Sequence, residues 1–224
     1  MLTLSEVEAA IAFDQPDLRA TQQRDMIVVE GTFVVTGGDA AYDPEGPLAR
    51  YGVRIELSSA YPRIEPRVFE TDGRIARDPD HHINGEGDCC VTVWENWLVT
   101  AGSTSFSAYL RGPLREYFLG QFWFENTGSW PFGERAHGMS GLEEAYAEAL
   151  GIPNVRKDLL YLLRFLRQQR SKGHWPCPCG SGRRVRNCHQ NDLSAQRQRI
   201  KPHIAKSMLA RMQPRKGELS RSSF

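Results

Sequence analysis

The sequence predicts an α+β fold followed by a small metal-binding module, and three observations carry that prediction. A helix-capping signature opens the chain. Three β-rich stretches then follow one another across short turns, and the remaining helical stretches come after them. Strands grouped with strands in this way form an antiparallel meander packed by helices, not an alternating βαβ sheet. The third observation is a Cys/His cluster in the last quarter of the chain.

In chain order, Thr3-x-x-Glu6 forms a capping box that opens a helix over residues 4–13, with Val7, Ala10 and Ile11 on one face. Residues 26–36, "MIVVEGTFVVT", are β-branched and aromatic and predict a strand with one glycine irregularity. The turn-rich "GGDAAYDPEGP" leads to "YGVRIEL", which alternates as a second strand, and "RVFET" is a third, closed by the tight turn Asp72-Gly73. "TSFSAYLRGPLREYFLGQFWFE" is helical, with Gly112-Pro113 marking a kink or a boundary. "SGLEEAYAEALG" predicts a helix capped by Ser140 and stopped at Gly151. "NVRKDLLYLLRFLRQQR" is amphipathic through Leu159, Leu160, Leu162, Leu163 and Leu166. Packing against its own domain is the preferred role for it, and binding a partner the alternative. The end, "MQPRKGELSRSSF", is expected to be disordered, and no internal repeat is present.

The 224 residues suffice for one domain of ~150 residues with an appendage. No run of about 18 apolar residues occurs, which excludes a membrane-spanning helix. The N-terminus carries acids where a signal peptide needs a basic region, so a cytoplasmic location is expected. Five cysteines, grouped as 89/90 and 177/179/188, suit reactive or metal-binding thiols better than a disulfide framework.

A net charge of +1 conceals an asymmetry. Residues 1–151 hold 11 arginines against 24 acids, whereas residues 152–224 hold 17 basic residues against Asp158, Asp192 and Glu218. Such a split predicts modules with different partners, or a basic half that docks on an acidic surface. The expected division is 1–151 for the main domain, 152–173 for an amphipathic basic helix and linker, 174–190 for the metal module, and 191–224 for a partly disordered basic tail. The first lysine is Lys157, a gap that an arginine-rich codon bias explains as well as function does.

Cys177-Pro178-Cys179 followed by Cys188-His189 gives C-x-C-x8-C-H. Three thiolates and an imidazole are the ligands that a closed tetrahedral zinc site prefers. Glycines at 180 and 182 permit the tight turn between them. So short a stretch lacks the apolar surface to fold alone, and bound metal would supply that free energy. "CPCGSGRRVRNCH" resembles the SEC-C zinc motif, a protein-docking element at the ends of larger proteins. That resemblance implies a structural Zn2+ on Cys177, Cys179, Cys188 and His189, and binding rather than catalysis. Arg183, Arg184 and Arg186 are compatible with an acidic protein surface or with nucleic acid.

The stretch "HHINGEGDCCV" at 81–91 admits three readings. A metal held by His81, His82, Cys89 and Cys90 is disfavoured, because neighbours on an extended chain point in opposite directions. A disulfide between adjacent cysteines is strained and rare. A single cysteine nucleophile remains, with hydrogen-bond donors from the glycine-containing loop aimed at an oxyanion. Glu86, Asp88 and Glu95 lie near enough in sequence to receive an incoming amine, although solvated loop carboxylates are the plainer reading of all three.

The order of elements, Tyr61-Pro62 with Pro66, and this loop together resemble the ubiquitin-conjugating enzyme family over roughly residues 1–150. Ile83-Asn84 matches the family's Ile-Asn, Gly87 its glycine, Cys89 its buried apolar position and Cys90 its catalytic cysteine. The family's His-Pro-Asn is replaced by Asp80-His81-His82. His82 therefore stands where the oxyanion-supporting asparagine would, able to donate the same hydrogen bond or to act as a base. These departures, with "WPFGERAHG" and "GLEEAYAEALG", fit a divergent bacterial branch. The resemblance implies a thioester carrier with Cys90, His82 and Asn84 in its catalytic site. It passes a protein C-terminal acyl group to a lysine in anti-phage CBASS defence, and the conjugated partner is a cGAS/DncV-like nucleotidyltransferase. The competing expectation is a non-catalytic adaptor of the same fold. Nucleic-acid binding by the basic tail is a weaker third, testable by its salt dependence.

Overall fold

The computed structural model describes residues 1–37, 46–131, 136 and 138–212. Most of the turn-rich segment at 37–47, most of "WPFGERAHG" at 130–138 and the terminal residues 213–224 lie outside the described residues. The chain divides into two compact units, Met1–Trp94 with Ala101–Glu134, and Glu95–Thr100 with Arg135–Phe224.

The first unit begins with α1 (Leu4–Asp14), whose Thr3–Glu6 capping box is complete in both directions. Four strands follow: β1 (Leu18–Gln23), β2 (Met26–Val35), β3 (Ala49–Ser58) and β4 (Arg67–Glu70). They form one antiparallel sheet in the order β1-β2-β3-β4. The expected strands are β2, β3 and β4, whereas β1 was not expected. Its sequence "LRATQQ" buries only Leu18, because it is an edge strand whose remaining positions face outward. The irregularity in β2 is Gly31 at φ +135°, where any Cβ would collide with the Asp17 carbonyl oxygen.

β2 and β3 pair along their whole length, from Met26↔Ser58 to Val35↔Ala49. Tyr51, Val53, Ile55 and Leu57 of β3 are buried, as strand alternation requires. Helix α4 (Arg115–Thr127) covers this face, with Phe118 stacked on Tyr51 at 4.8 Å between ring centroids. It is preceded by α3 (Phe106–Tyr109) and a π-helical turn at Leu110–Leu114. Proline at 113 has no N–H to donate, so the turn widens and the Arg115 N–H reaches back to Leu110. The expected kink at Gly112-Pro113 is thus a bulge inside a continuing helical path.

Helix α2 (Trp94–Thr100) starts in the first unit at Trp94 and runs into the second. There Glu95 is 3% exposed and accepts hydrogen bonds from Tyr146 (2.9 Å), Ser207 (2.6 Å) and Arg211 (3.0 Å). Glu95 is therefore a buried structural carboxylate, not the solvated loop acid the sequence suggested. α5 (Gly138–Leu150) contains Ser140 in its first turn, so that serine is not the cap, while Gly151 at φ +64° ends the helix as expected. α6 (Arg156–Leu166) buries Leu159, Leu162, Leu163, Phe165 and Leu166, leaving Leu160 half-buried. It packs within its own unit against α8 (Pro202–Arg211), in keeping with the preferred expectation. α7 (Gln190–Arg199) and α8 are folded, with Ile204, Ala205, Met208 and Leu209 buried, so the stretch expected as a basic tail is helical over most of 190–211.

Candidate functional site

β4 positions the loop that carries the adjacent cysteines. The Cys89 N–H donates to the Val68 carbonyl of β4 at 2.7 Å, which fixes the register of the segment. Ile83 and Cys89 form an antiparallel bridge. Between them Asn84 N–H donates to the Asp88 carbonyl and Gly87 N–H to the Asn84 carbonyl, both at 2.8 Å. Gly87 takes φ +87°, a backbone state that L side chains rarely adopt. The loop is thus a short, internally bonded hairpin.

Alternation across this bridge separates the two thiols. Cys89 is buried and Cys90 is exposed. Burial pushes the Cys89 thiol up to about 11, against a partial offset from its hydrogen bond with Tyr117. Cys89 therefore stays a protonated, inward-packed group at neutral pH. The Cys90 N–H donates to the His82 carbonyl at 2.7 Å, so the backbones of these two expected site residues meet directly.

His82 adopts a left-handed backbone, φ 54° and ψ 40°, at the end of a 3-10 turn formed by Pro79–His81. Asparagine, aspartate and histidine are the side chains that tolerate this region best. The His82 ring packs on Trp130 with centroids 4.7 Å apart, and Trp130 stacks on Phe124 at 4.9 Å. Gly120 makes room for this shelf, since a Cβ there would come within 3.1 Å of the Trp130 ring. Asn84 directs its side-chain amide to the Asp88 carboxylate at 3.0 Å, inside the loop. Asp88 and Glu86 both pair with Arg67, at 3.3 and 2.9 Å.

Several residues of this site were not anticipated from sequence. Asp78 caps the 3-10 turn and holds His81 Nδ1 at 2.7 Å, and that hydrogen bond keeps the Asp78 carboxyl below its usual range. Gln121, 1% exposed, donates to the His81 carbonyl at 2.7 Å. The Tyr117 hydroxyl lies 3.4 and 3.5 Å from the His81 and His82 carbonyls. The one available signal was the i,i+4 spacing of Tyr117 and Gln121, which places them on one face of α4.

In the second unit, Cys177, Cys179, Cys188 and His189 converge, with all ligand atoms within 4.8 Å of one another. The Cys177 N–H donates to the Arg183 carbonyl, and Pro176 bridges Arg184, so a small knuckle brings the thiols together. Gly180 and Gly182, at φ +77° and +73°, make its turn.

Comparisons with protein-family models, curated proteins and solved structures give no match.

Three of the ligand–ligand separations are close to those of a tetrahedral site. Thiolates at ~2.3 Å from a metal stand about 3.8 Å apart, and thiolate and imidazole slightly closer. Cys179 Sγ and Cys188 Sγ are 3.6 Å apart, Cys177 Sγ and His189 Nδ1 3.4 Å, and Cys188 Sγ and His189 Nδ1 3.2 Å. Hydrogen bonding with the Ser181 side chain and backbone lowers the Cys179 thiol to about 6, while burial raises Cys177. The four residues could hold a metal ion. Among the described residues, no helix is long and apolar enough to cross a membrane.

Proposed function

We propose that this chain is a cysteine acyl carrier of the ubiquitin-conjugating kind, with Cys90 as its nucleophile. The observation that carries the proposal is the division of labour between adjacent thiols: Cys90 exposed on a hydrogen-bonded loop, Cys89 buried beneath it. The antiparallel sheet followed by this loop and then by helices also supports a ubiquitin-conjugating-like fold.

In this reading the Cys90 thiolate attacks an activated carbonyl carbon at the C-terminus of a partner protein. A sulfur–carbon bond forms and the activating group leaves. A lysine amine then attacks the thioester, an amide bond replaces the sulfur–carbon bond, the amine loses a proton, and the Cys90 thiolate is released. His82 and Asn84 would support the oxyanion, each such donor being worth about 3–4 kcal/mol in the transition state. The partner is a cGAS/DncV-like nucleotidyltransferase of anti-phage CBASS defence. Zn2+ is the metal for Cys177, Cys179, Cys188 and His189, where it would hold the knuckle folded. The basic half would dock an acidic partner surface.

The test is covalent trapping. Cys90→Ser and Cys90→Ala are co-expressed with the products of neighbouring genes, denatured and weighed intact. A carrier gives an adduct with the serine variant, because an ester outlives a thioester, and none with alanine. No adduct in either folded variant would overturn the carrier in favour of an adaptor. Two contacts favour that second reading: the His82 ring is engaged with Trp130 and the Asn84 amide with Asp88.

A further inference from the structure

In the second unit a groove of ≈ 630 Å³ runs between α6 and the Cys/His knuckle. One side presents Tyr161, Arg164 and Phe165, and the other Trp175, Pro176 and Pro178. Tyr161 is 45% exposed although it is a large aromatic on a helix whose other face is packed. Trp175 meets Phe165 edge-on, with centroids 6.1 Å apart at 87°. The groove is thus an aromatic and proline-walled slot in a strongly basic region. Residues 156–212 hold 14 lysines and arginines against only Asp158 and Asp192. Lys157 Nζ, one turn earlier on α6, lies 5.9 Å from the Tyr161 ring.

We propose that this groove binds an extended acidic peptide segment of a partner protein. An apolar or aromatic side chain of the segment seats among Tyr161, Phe165 and Trp175, and flanking carboxylates meet Arg164 and Lys157. This deepens the docking role given above to the basic half by naming its contact surface, and it does not depend on Cys90 chemistry. Charge complementarity decides the sign of the ligand, and the lining decides its class. A single-stranded nucleic acid needs cations along its phosphates and open ring faces for its bases. Among the described residues that line the slot Arg164 is the one cation, and Phe165 is 8% exposed. Such walls suit a peptide side chain.

The experiment uses the full chain carrying Cys90→Ala and loaded with zinc. Fluorescence anisotropy follows a fluorescein-labelled synthetic peptide in which glutamates flank a central Leu-Phe pair. Replacing Leu-Phe by Ser-Ser, or the glutamates by glutamines, is expected to weaken binding about tenfold in each case. Arg164→Glu weakens it about tenfold and Tyr161→Ala about fivefold, whereas Lys206→Glu, an equal charge change outside the groove, changes it less than about twofold. Both arginine and tyrosine positions are exposed, so neither variant threatens the fold.

Equal weakening by Arg164→Glu and Lys206→Glu would overturn the groove while leaving a diffuse docking role for the basic half. Absence of binding at low salt would overturn both. An oligouridylate that outcompetes the peptide in an Arg164-dependent way would replace the peptide by nucleic acid.

Discussion

Gln121 on α4 donates its side-chain amide to the His81 carbonyl at 2.7 Å, across 40 positions of sequence, and does so from a site that is 1% exposed. The bond ties the loop bearing His82 and Cys90 to the helix that covers the sheet. Gln121→Leu keeps the volume but leaves that carbonyl without its amide donor, with only the longer Tyr117 contact beside it. The expected cost is about 1–3 kcal/mol, read by thermal unfolding. A melting temperature unchanged from wild type would remove Gln121 from the account of the loop.

The two neighbouring thiols should behave as different reagents. Cys89 is protonated until the pH approaches its value of about 11, whereas Cys90 is open to solvent. With the knuckle cysteines protected by zinc, limited iodoacetamide at pH 8 is expected to label Cys90 and spare Cys89, as read by peptide mass mapping. Labelling of Cys89 should rise as the pH climbs toward about 11. Equal labelling of both at pH 8 would contradict the burial of Cys89.

The Cys/His knuckle should depend on its ion. Native mass measurement is expected to find one bound zinc per chain, lost in Cys177→Ser and removed by a strong chelator. Because so few apolar residues hold residues 174–190 together, metal loss should unfold them and move the emission of Trp175. Identical spectra before and after chelation would mean that the turn hydrogen bonds suffice without a metal.

Glu95 carries three hydrogen bonds in the second unit, from Tyr146, Ser207 and Arg211. Glu95→Ala removes the carboxylate to which Tyr146, Ser207 and Arg211 donate, and Arg211 is exposed enough to recover water. The expected loss is about 2 kcal/mol, with faster hydrogen exchange in α5 and α8. Glu95→Gln should restore part of it, because an amide oxygen still accepts. A neutral Glu95→Ala would show that the helices pack without this carboxylate.

Much of the fold could be read from local pattern. The alternation of β3, the apolar run of β2 and the Thr3–Glu6 capping box are properties of contiguous residues, and each element forms where they place it. β1 escaped because an edge strand with one buried position carries almost no alternation. The metal cluster was legible because its ligands sit close in sequence. The site loop was legible only in part. Its cysteines are local, but Tyr117, Gln121 and Trp130 arrive from the covering helix and the residues beyond it, and no spacing within 78–90 announces them.

The pairing of Ile83 with Cys89 has a consequence for how this chain can change. Because side chains on an extended backbone alternate, the pairing acts as a parity lock on the chemistry above it. A residue added within 84–88 would therefore have to bulge out of the turn, because the bridge to Ile83 and the bond to Val68 together hold which of the two sulfurs faces water.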